Sequence, residues 1–324
     1  MLVAVVWLTI FSLVDLVQAH VDGLGTGDGP PVVVSQQARV RVGLSGQQGH
    51  GGAEYAIGQG WFTEQGLDIE PVTMPGNVGA LLAVVGGSAD IAGTNVFAHL
   101  WLREQGVDVR AIAADAAEER ANPIHAILVP GNSAIQTASD LEGKRLGISG
   151  NNSNDRVMVQ AWLESQGADP SQVELVEMPE SVQWRALLEG RVDAVSAAEP
   201  LATTGLAGGA RLLAHHYADL NASTVLSYYV ATGDWLNRNA DVVRRFARAV
   251  HRANAALEAN PELKHQAAQE RLGISAELAG RVHQPTLQTR IDPAAIQWWA
   301  DAGVRMGFIQ RPLNAQDLLA DTAR

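Results

Sequence analysis

D-L-E-G-K-R-L-G-I-S-G, Asp140 to Gly150, runs straight into a polar cluster, N-N-S-N-D, Asn151 to Asp155. A buried-type strand, Arg145 to Ser149, stops at Gly150, and an amphipathic helix is expected from Arg156 to Gln166. Gly167 ends that helix, because a residue without Cβ enters the left-handed conformation that a helix C-terminus favours. Beyond the turn at Pro170, V-E-L-V-E-M (Val173 to Met178) alternates as a second strand. A further helix spans Val182 to Glu189 and stops at Gly190. V-D-A-V-S-A (Val192 to Ala197) forms a third strand and arrives at Glu199-Pro200. Strand, helix, strand, helix, strand in so short a span implies an α/β unit with a mainly parallel sheet and right-handed crossovers. Ligands of such units sit beyond the carboxyl ends of the strands. Asn151 to Asp155, Pro179 to Trp184 and Glu199-Pro200 occupy those ends.

The upstream chain reads as a second unit of the same kind. Val40 to Leu44 is a strand, followed by a glycine-rich loop (Ser45 to Gly52) and a helix near Ala53 to Gly60. The loop has neither the G-K-[ST] of a P-loop nor a well-spaced G-x-G-x-x-G, so it reads as a polar turn facing a cleft. Gln47, Gln48 and His50 are candidate ligand contacts on it. Leu67 to Thr73 is a strand, Val78 to Val85 a helix, and Ala89 to Ala92 a short strand closed by Gly93-Thr94-Asn95. Asn77, Thr94 and Asn95 stand where strands hand over to helices. Singly each is an N-cap; together they suggest one rim of a cleft.

Val109 to Ala114 is a further strand, Asp115 to Asn122 a charged surface loop, and Ile124 to Val129 the crossing into the second lobe. Leu226 to Thr232 returns, so a two-strand hinge is expected near His125 and Tyr228, with Tyr228 beside the ligand. Such a hinge permits closure. Asp241 to Pro261 shows helical spacing of apolar residues and should pack on the first lobe. Trp298-Trp299 reads as core. No internal sequence repeat is visible, although the lobes would repeat an architecture.

The 324 residues suit two lobes, and 47% hydrophobic content with 18% charge argues against disorder. A net charge of -12 argues against non-specific nucleic-acid binding. The absence of cysteine excludes disulfides, thiolate metal sites and a cysteine nucleophile, and also an acylated lipoprotein anchor. An apolar run, Leu2 to Val14, reaching V-Q-A at Val17 to Ala19 reads as a signal peptide. A membrane anchor is the alternative, but the run is shorter than the ~20 apolar residues that span a bilayer. Residues 20–38, rich in Gly and Pro, read as a disordered linker.

Catalytic constellations are poor. His215-His216 are adjacent, hence divergent, and read as a surface loop; no H-E-x-x-H and no G-x-S-x-G is present. Asp115, Glu118 and Glu119 read as surface charge, and His99 in F-A-H-L-W as buried. The positive case is a helix starting at Asn152-Ser153-Asn154. Its free amides and dipole end suit a sulfonate or carboxylate without any lysine. Arg156 is a candidate for a charge-assisted bond there. Trp184 either walls the ligand or joins the core. Glu199 either accepts a bond from the ligand or braces the hinge.

The same residues carry a resemblance. D-L-E-G-K-R-L-G-I, the L-x-x-x-G-A-D-x-x-Q-V-E-L-V spacing from Leu163, A-L-L-E-G-R-V-D-A and Glu199-Pro200 resemble the second lobe of bacterial solute-binding proteins. V-R-V-G-L, A-I-G-Q-G-W-F-T-E-Q-G-L-D-I-E and L-L-A-V-V-G-G-S-A-D-I-A are similar to the first. The group serves ABC importers for sulfonates, taurine, nitrate and aromatic acids and is related to thiamine-pyrimidine synthases. The likeness spans about residues 38 to 260. It implies the type II periplasmic-binding-protein fold, with lobe one built from 39–125 plus 229–324 and lobe two from 126–228. It implies a periplasmic monomer without a cofactor that closes on a small organic anion and docks on importer permease subunits. Enzymes of the thiamine-pyrimidine or menaquinone pathways share the fold, but the first kind uses a cysteine-rich motif and the second is cytoplasmic. A LysR-like effector domain would need a basic helix-turn-helix before residue 40.

Overall fold

Strand pairing divides the computed structural model, which describes residues 37–44, 51–74 and 76–324, into two sheets. The expected signal peptide (1–19), nearly all of the linker, and Gln47, Gln48 and His50 lie outside the described residues. In chain order the strands are β1 (Ala38–Leu44), β2 (Leu67–Thr73), β3 (Ile91–Asn95), β4 (Val109–Glu119), β5 (His125–Pro130) and β6 (Arg145–Ile148). They continue as β7 (Glu174–Glu177), β8 (Ala194–Ala198), β9 (Ala210–Ala214), β10 (Ser223–Thr232) and β11 (Thr286–Leu287). The first sheet has the order β11-β4-β10-β3-β1-β2 and the second β7-β6-β8-β5-β9. β1 pairs in parallel with β2 and β3, and β6 with β7 and β8; β4, β5, β9, β10 and β11 pair antiparallel.

The helices that position the site are α1 (Gly51–Gly58), α2 (Trp61–Glu64), α3 (Gly76–Val85), α4 (Val96–Glu104), α5 (Asn154–Ser165), α6 (Glu180–Leu188), α7 (Leu201–Ala207), α8 (His216–Leu220), α9 (Gly233–Arg238) and α10 (Ala240–Ala259). Each sheet is covered on both faces, and period-two alternation does the sorting. On β10, Tyr228 and Val230 face a core with Phe97, Leu100 and Trp299, while Tyr229 and Ala231 face Phe62, Phe246 and Val250. Phe62 and Phe246 stack at 5.1 Å, which pins α10 to the first lobe as its apolar stripe requires. In the second sheet Leu146 and Ile148 meet Trp162 and Leu163 of α5, and Val195 and Ala197 meet Ala186 and Leu187 of α6.

The two lobes do carry a repeat, contrary to the reading of the bare sequence. Arg41 donates its backbone N–H and Nε to Asp90 Oδ2 at 2.9 and 3.1 Å and Nη1 to the Gly87 carbonyl at 2.8 Å. Arg145 makes the same fork to Asp193 Oδ2, at 2.9 and 3.2 Å, and reaches the Gly190 carbonyl at 2.8 Å. R-V-G-L-S-G-Q-Q (Arg41 to Gln48) thus matches R-L-G-I-S-G-N-N (Arg145 to Asn152), and Met74-Pro75 matches Met178-Pro179. The glycines have a shared cause: a Cβ on Gly43 would meet Met74 at 3.4 Å, and one on Gly147 would meet Met178 at 3.2 Å.

Three expectations fail here. β4 runs on to Glu119, so Asp115 and Glu118 belong to a strand interior, with 0% and 1% exposure, and not to a surface loop. Strand pairing with β10 over the whole length explains it, and Ser227 Oγ donates to Asp115 Oδ2 at 2.6 Å. His216 is likewise fully buried, opening α8, because Ser196 takes up its ring nitrogen. The chain re-enters the first sheet at Ser223, so Tyr228 is mid-strand and away from the crossing. The crossings are tied by Arg120, whose N–H and Nε donate to the carbonyls of Ala222 and Ala218 at 2.9 and 2.8 Å.

Candidate ligand cleft

Between the carboxyl ends of the two sheets lies a cleft of about 450 Å³. The first lobe contributes Asn77, Asn95 and Ser227, and the second Ser149, Asn152 and Ser196 among others. Its walls are amide and hydroxyl groups more than hydrocarbon, and among the described residues no lysine or arginine lines it. This is the crevice that strand order led one to expect.

Among the described residues four helix N-termini reach the cleft, and they are not equivalent. That of α4 is occupied: Asn95 Oδ1 accepts from Ala98 N–H at 2.8 Å and Asn154 Oδ1 from Phe97 N–H at 3.0 Å. That of α6 carries Glu180 in its first turn, which answers the dipole with a negative charge. α5 also carries an acid in its first turn, Asp155, but that carboxylate is taken up by Ser149 and Ser196, and among the described residues the helix has no side-chain cap, because Ser153 Oγ turns back to the Gly150 carbonyl at 2.6 Å. Its first-turn amides therefore face the crevice as an anion-accepting end. Asn77 brings the start of α3 to the opposite wall.

Of the predicted contacts, Asn77, Asn95, Asn152, Ser153 and Asn154 line the cleft. The others that the structure describes lie elsewhere. Thr94 is fully buried, with its hydroxyl directed to the Asn95 carbonyl at 3.3 Å. Arg156 turns away, donating to Asn151 Oδ1 at 2.9 Å and lying over the Phe308 ring at 4.8 Å from its centroid. Trp184 belongs to the outer core of the second lobe: Gly205 of α7 and Gly208, which follows that helix, clear the space that its indole fills. Glu199 is buried and engaged within the protein, accepting from Thr203 N–H and Oγ–H at 3.0 and 2.8 Å and from His283 N–H at 3.4 Å. Tyr228 is fully buried and gives its hydroxyl proton to His99.

Sequence reasoning missed the floor of the cleft. His125 opens β5 and donates Nδ1–H to Glu118 Oε2, at the end of β4, at 2.5 Å; its ring stacks on Tyr217 at 4.0 Å and 11°. Burial alone would push the imidazole down, but the charge and hydrogen bond of Glu118 outweigh it, and the net shift is upward. Asp155 is buried and still held below the usual carboxylate range: desolvation is outweighed by the proximity of His216, whose Nε2 lies 3.8 Å away, and by bonds from Ser196 and Ser149. Ser149 N–H donates to Asp155 Oδ2 at 2.8 Å, and Ser196 Oγ donates to Oδ1. Since that proton goes to Asp155, the His216 contact at 3.0 Å is an Nε2–H donating to Ser196 Oγ. His216 stays neutral, lowered by burial. Glu180 keeps its surface open within the cleft, while the surrounding walls desolvate its carboxyl and raise it. The available signal was position alone, since Ser149, Glu177 and Glu180 sit at or just past strand ends, while Ser196 is mid-strand in β8 and carried no such signal.

The sequence profile of the NMT1/THI5-like family matches residues 47–263. The chain belongs to that family. No curated protein sequence matches it. Solved structures show the same fold. The periplasmic aliphatic sulphonate-binding protein SsuA of Escherichia coli superposes with a TM-score of 0.74 at 19% identity, covering 88% of this chain and 98% of that one. The alkanesulfonate-binding protein SsuA of Xanthomonas axonopodis pv. citri, bound to MOPS, gives 0.73 at 19% identity over 88% and 99%. A DSZB point mutant, in complex with biphenyl-2-sulfinic acid, gives 0.64 at 18% identity over 88% and 96%. The family member described here thus has the α/β periplasmic-binding-protein architecture, with two sheets flanked by helices.

Proposed function

We propose that this NMT1/THI5-like chain is an exported solute-binding protein that captures a small organic anion, a sulfonate or carboxylate, for an ABC importer. The observation that carries the reading is the uncapped N-terminus of α5, open to a polar interlobe cleft. Backbone amides and a helix dipole there accept an oxyanion without a lysine or arginine. The ligands of two structural neighbours, MOPS and biphenyl-2-sulfinic acid, are sulfur oxyanions of that chemistry. Gln47, Gln48 and His50, which match Asn151, Asn152 and Asn154 in the repeat, are proposed contacts from the first lobe. Closure about the crossings near Arg120 and Ala222 would present both lobes to permease subunits, as a periplasmic monomer.

An enzyme is the second reading, favoured by Ser196 lying in the cleft beside His216 and Asp155. The arrangement lacks the order a hydrolase needs. Asp155 contacts the serine, and among the described residues His216 Nδ1 has no hydrogen-bond partner to orient it. A thermal-shift panel of the mature protein, stripped of ligand, tests the binder reading. At about a hundred times Kd a ligand adds about 2.7 kcal/mol of stability. A shift confined to sulfonates or carboxylates is expected; a shift confined to uncharged or purely cationic compounds would overturn the anion class.

A further inference from the structure

His125 has one engaged nitrogen and one open one. Nδ1–H is fixed on Glu118, the ring is clamped flat on Tyr217, and the residue lines the cleft. Nε2 has no hydrogen-bond partner among the described residues, and the side chain retains 16% exposure. Glu118 is buried to 1% and its other oxygen, Oε1, has no partner among the described residues, so its charge is directed to the imidazole. We propose that His125 is a ligand-binding residue: an imidazolium clamped by Glu118 that donates Nε2–H to the anionic group of the solute. The proposal deepens the anion reading above and rests on it.

The geometry makes this a charged contact that needs no arginine or lysine. Glu118 comes from the first sheet and His125 from the second, so the pair spans the crossing between lobes. The donor is therefore held at the point about which closure turns. Other ionisable groups bear on the ring from each element around it. Asp155 of α5 and Glu180 of α6 favour its charge, the neutral His216 and Tyr217 of α8 pack beside it, and His215 Nδ1 approaches its carbonyl at 3.2 Å. With its folded pKa raised, the imidazolium is kept to higher pH than in an ordinary histidine and is lost as pH climbs through that raised value. Anion affinity should follow the same course, full in mildly acid solution and falling as pH climbs through that raised value. Asp155 stays ionised throughout this window. The raised Glu180 adds its own repulsion as pH climbs through its pKa, a step that a His125 variant would keep.

The test combines imidazole NMR titration over about pH 5 to 9 with calorimetry, using ethanesulfonate and benzoate as probes. Wild type, His125→Gln and Glu118→Gln are compared, each checked for an intact thermal transition. His125 is expected to titrate above the ordinary histidine value, and Glu118→Gln to bring it down. A charge-assisted bond corresponds to about a ten- to hundredfold loss of affinity in His125→Gln, whose neutral amide still donates. The fall in affinity that tracks the imidazole titration should vanish in that variant and begin at lower pH in Glu118→Gln. Probes that bind wild type and His125→Gln equally at every pH would overturn the role of His125 alone. Probes that bind neither protein would overturn the anion reading and this proposal with it. Should Glu118→Gln not fold, the pH profile of His125→Gln against wild type decides.

Discussion

Asn154 and Phe97, at the first turns of helices from different lobes, are joined directly: Asn154 Oδ1 accepts from the Phe97 N–H at 3.0 Å. The same side chain donates Nδ2–H to the Leu226 carbonyl at 2.8 Å, so one amide bonds twice to the first lobe. Asn154 therefore lines the cleft as a bolt between lobes, not as a free ligand donor. Asn154→Ala leaves a buried N–H and a carbonyl without partners and should cost about 2–4 kcal/mol of stability. Asn152→Ala, at an exposed position in the cleft, should cost under about 0.5 kcal/mol and act on ligand affinity instead. Denaturant unfolding of the two variants separates them; equal stability would remove the bolt.

Trp184 was expected either to wall the ligand or to join the core, and its contacts place it in the core. A Cβ on Gly208 would lie 2.6 Å from Trp184 Cζ2, so the end of α7 needs a glycine cap there to pass the indole. Trp184→Ala should cost about 2–3 kcal/mol, less than for a fully buried tryptophan, with unchanged ligand affinity. Gly208→Ala should also destabilise, by about 1–3 kcal/mol through overpacking. Thermal unfolding and calorimetry on each variant check this; lost affinity with unchanged stability in Trp184→Ala would return the residue to the cleft.

The alternation of apolar residues and the stopping glycines made the strand–helix order legible, and with it the edge where the cleft opens. Asn77, Asn95, Asn152 and Ser153 followed from that order alone. What stayed hidden depends on which element packs on which. Asp115 and Glu118 look like surface charge until β10 and β11 are known to flank β4. His125, Asp155, Ser196 and His216 come from strands and helices far apart in the chain, so no local pattern marks them as one floor. Arg41 and Arg145 make the same fork, but the divergence between them concealed the repeat until Asp90 and Asp193 were seen to answer them.

His99 couples stability to pH. Nε2–H must donate to the Val109 carbonyl at 2.8 Å, so Nδ1 accepts the Tyr228 hydroxyl proton at 2.8 Å, and the ring is held neutral. Burial lowers its pKa from 6.5 to about 4. Between those values the unfolded chain binds a proton that the native state refuses, so stability falls as pH drops from the unfolded pKa to the folded one. The loss from this residue should approach about 3 kcal/mol. Denaturant titrations at neutral pH and near pH 4 should show this acid loss reduced in His99→Gln, at the cost of lower stability at neutral pH. An unchanged acid slope in the variant would sink the assignment.

Glu180 places a carboxyl group where an incoming ligand must meet it. Its carboxyl has no hydrogen-bond or ion-pair partner among the described residues, it stands at the mouth of α6, and desolvation raises its pKa. A negative group facing the same cleft as an incoming sulfonate repels it by about 1 kcal/mol. Glu180→Gln should thus tighten ethanesulfonate roughly fivefold near neutral pH. The same substitution should weaken 2-aminoethanesulfonate, whose ammonium the carboxylate would otherwise accept. The opposite shifts discriminate a charge effect from a change of shape, which would move both ligands together. Calorimetry of the two ligands against wild type and Glu180→Gln reads the ratio directly, and parallel changes in both affinities would show that Glu180 exerts no charge selection.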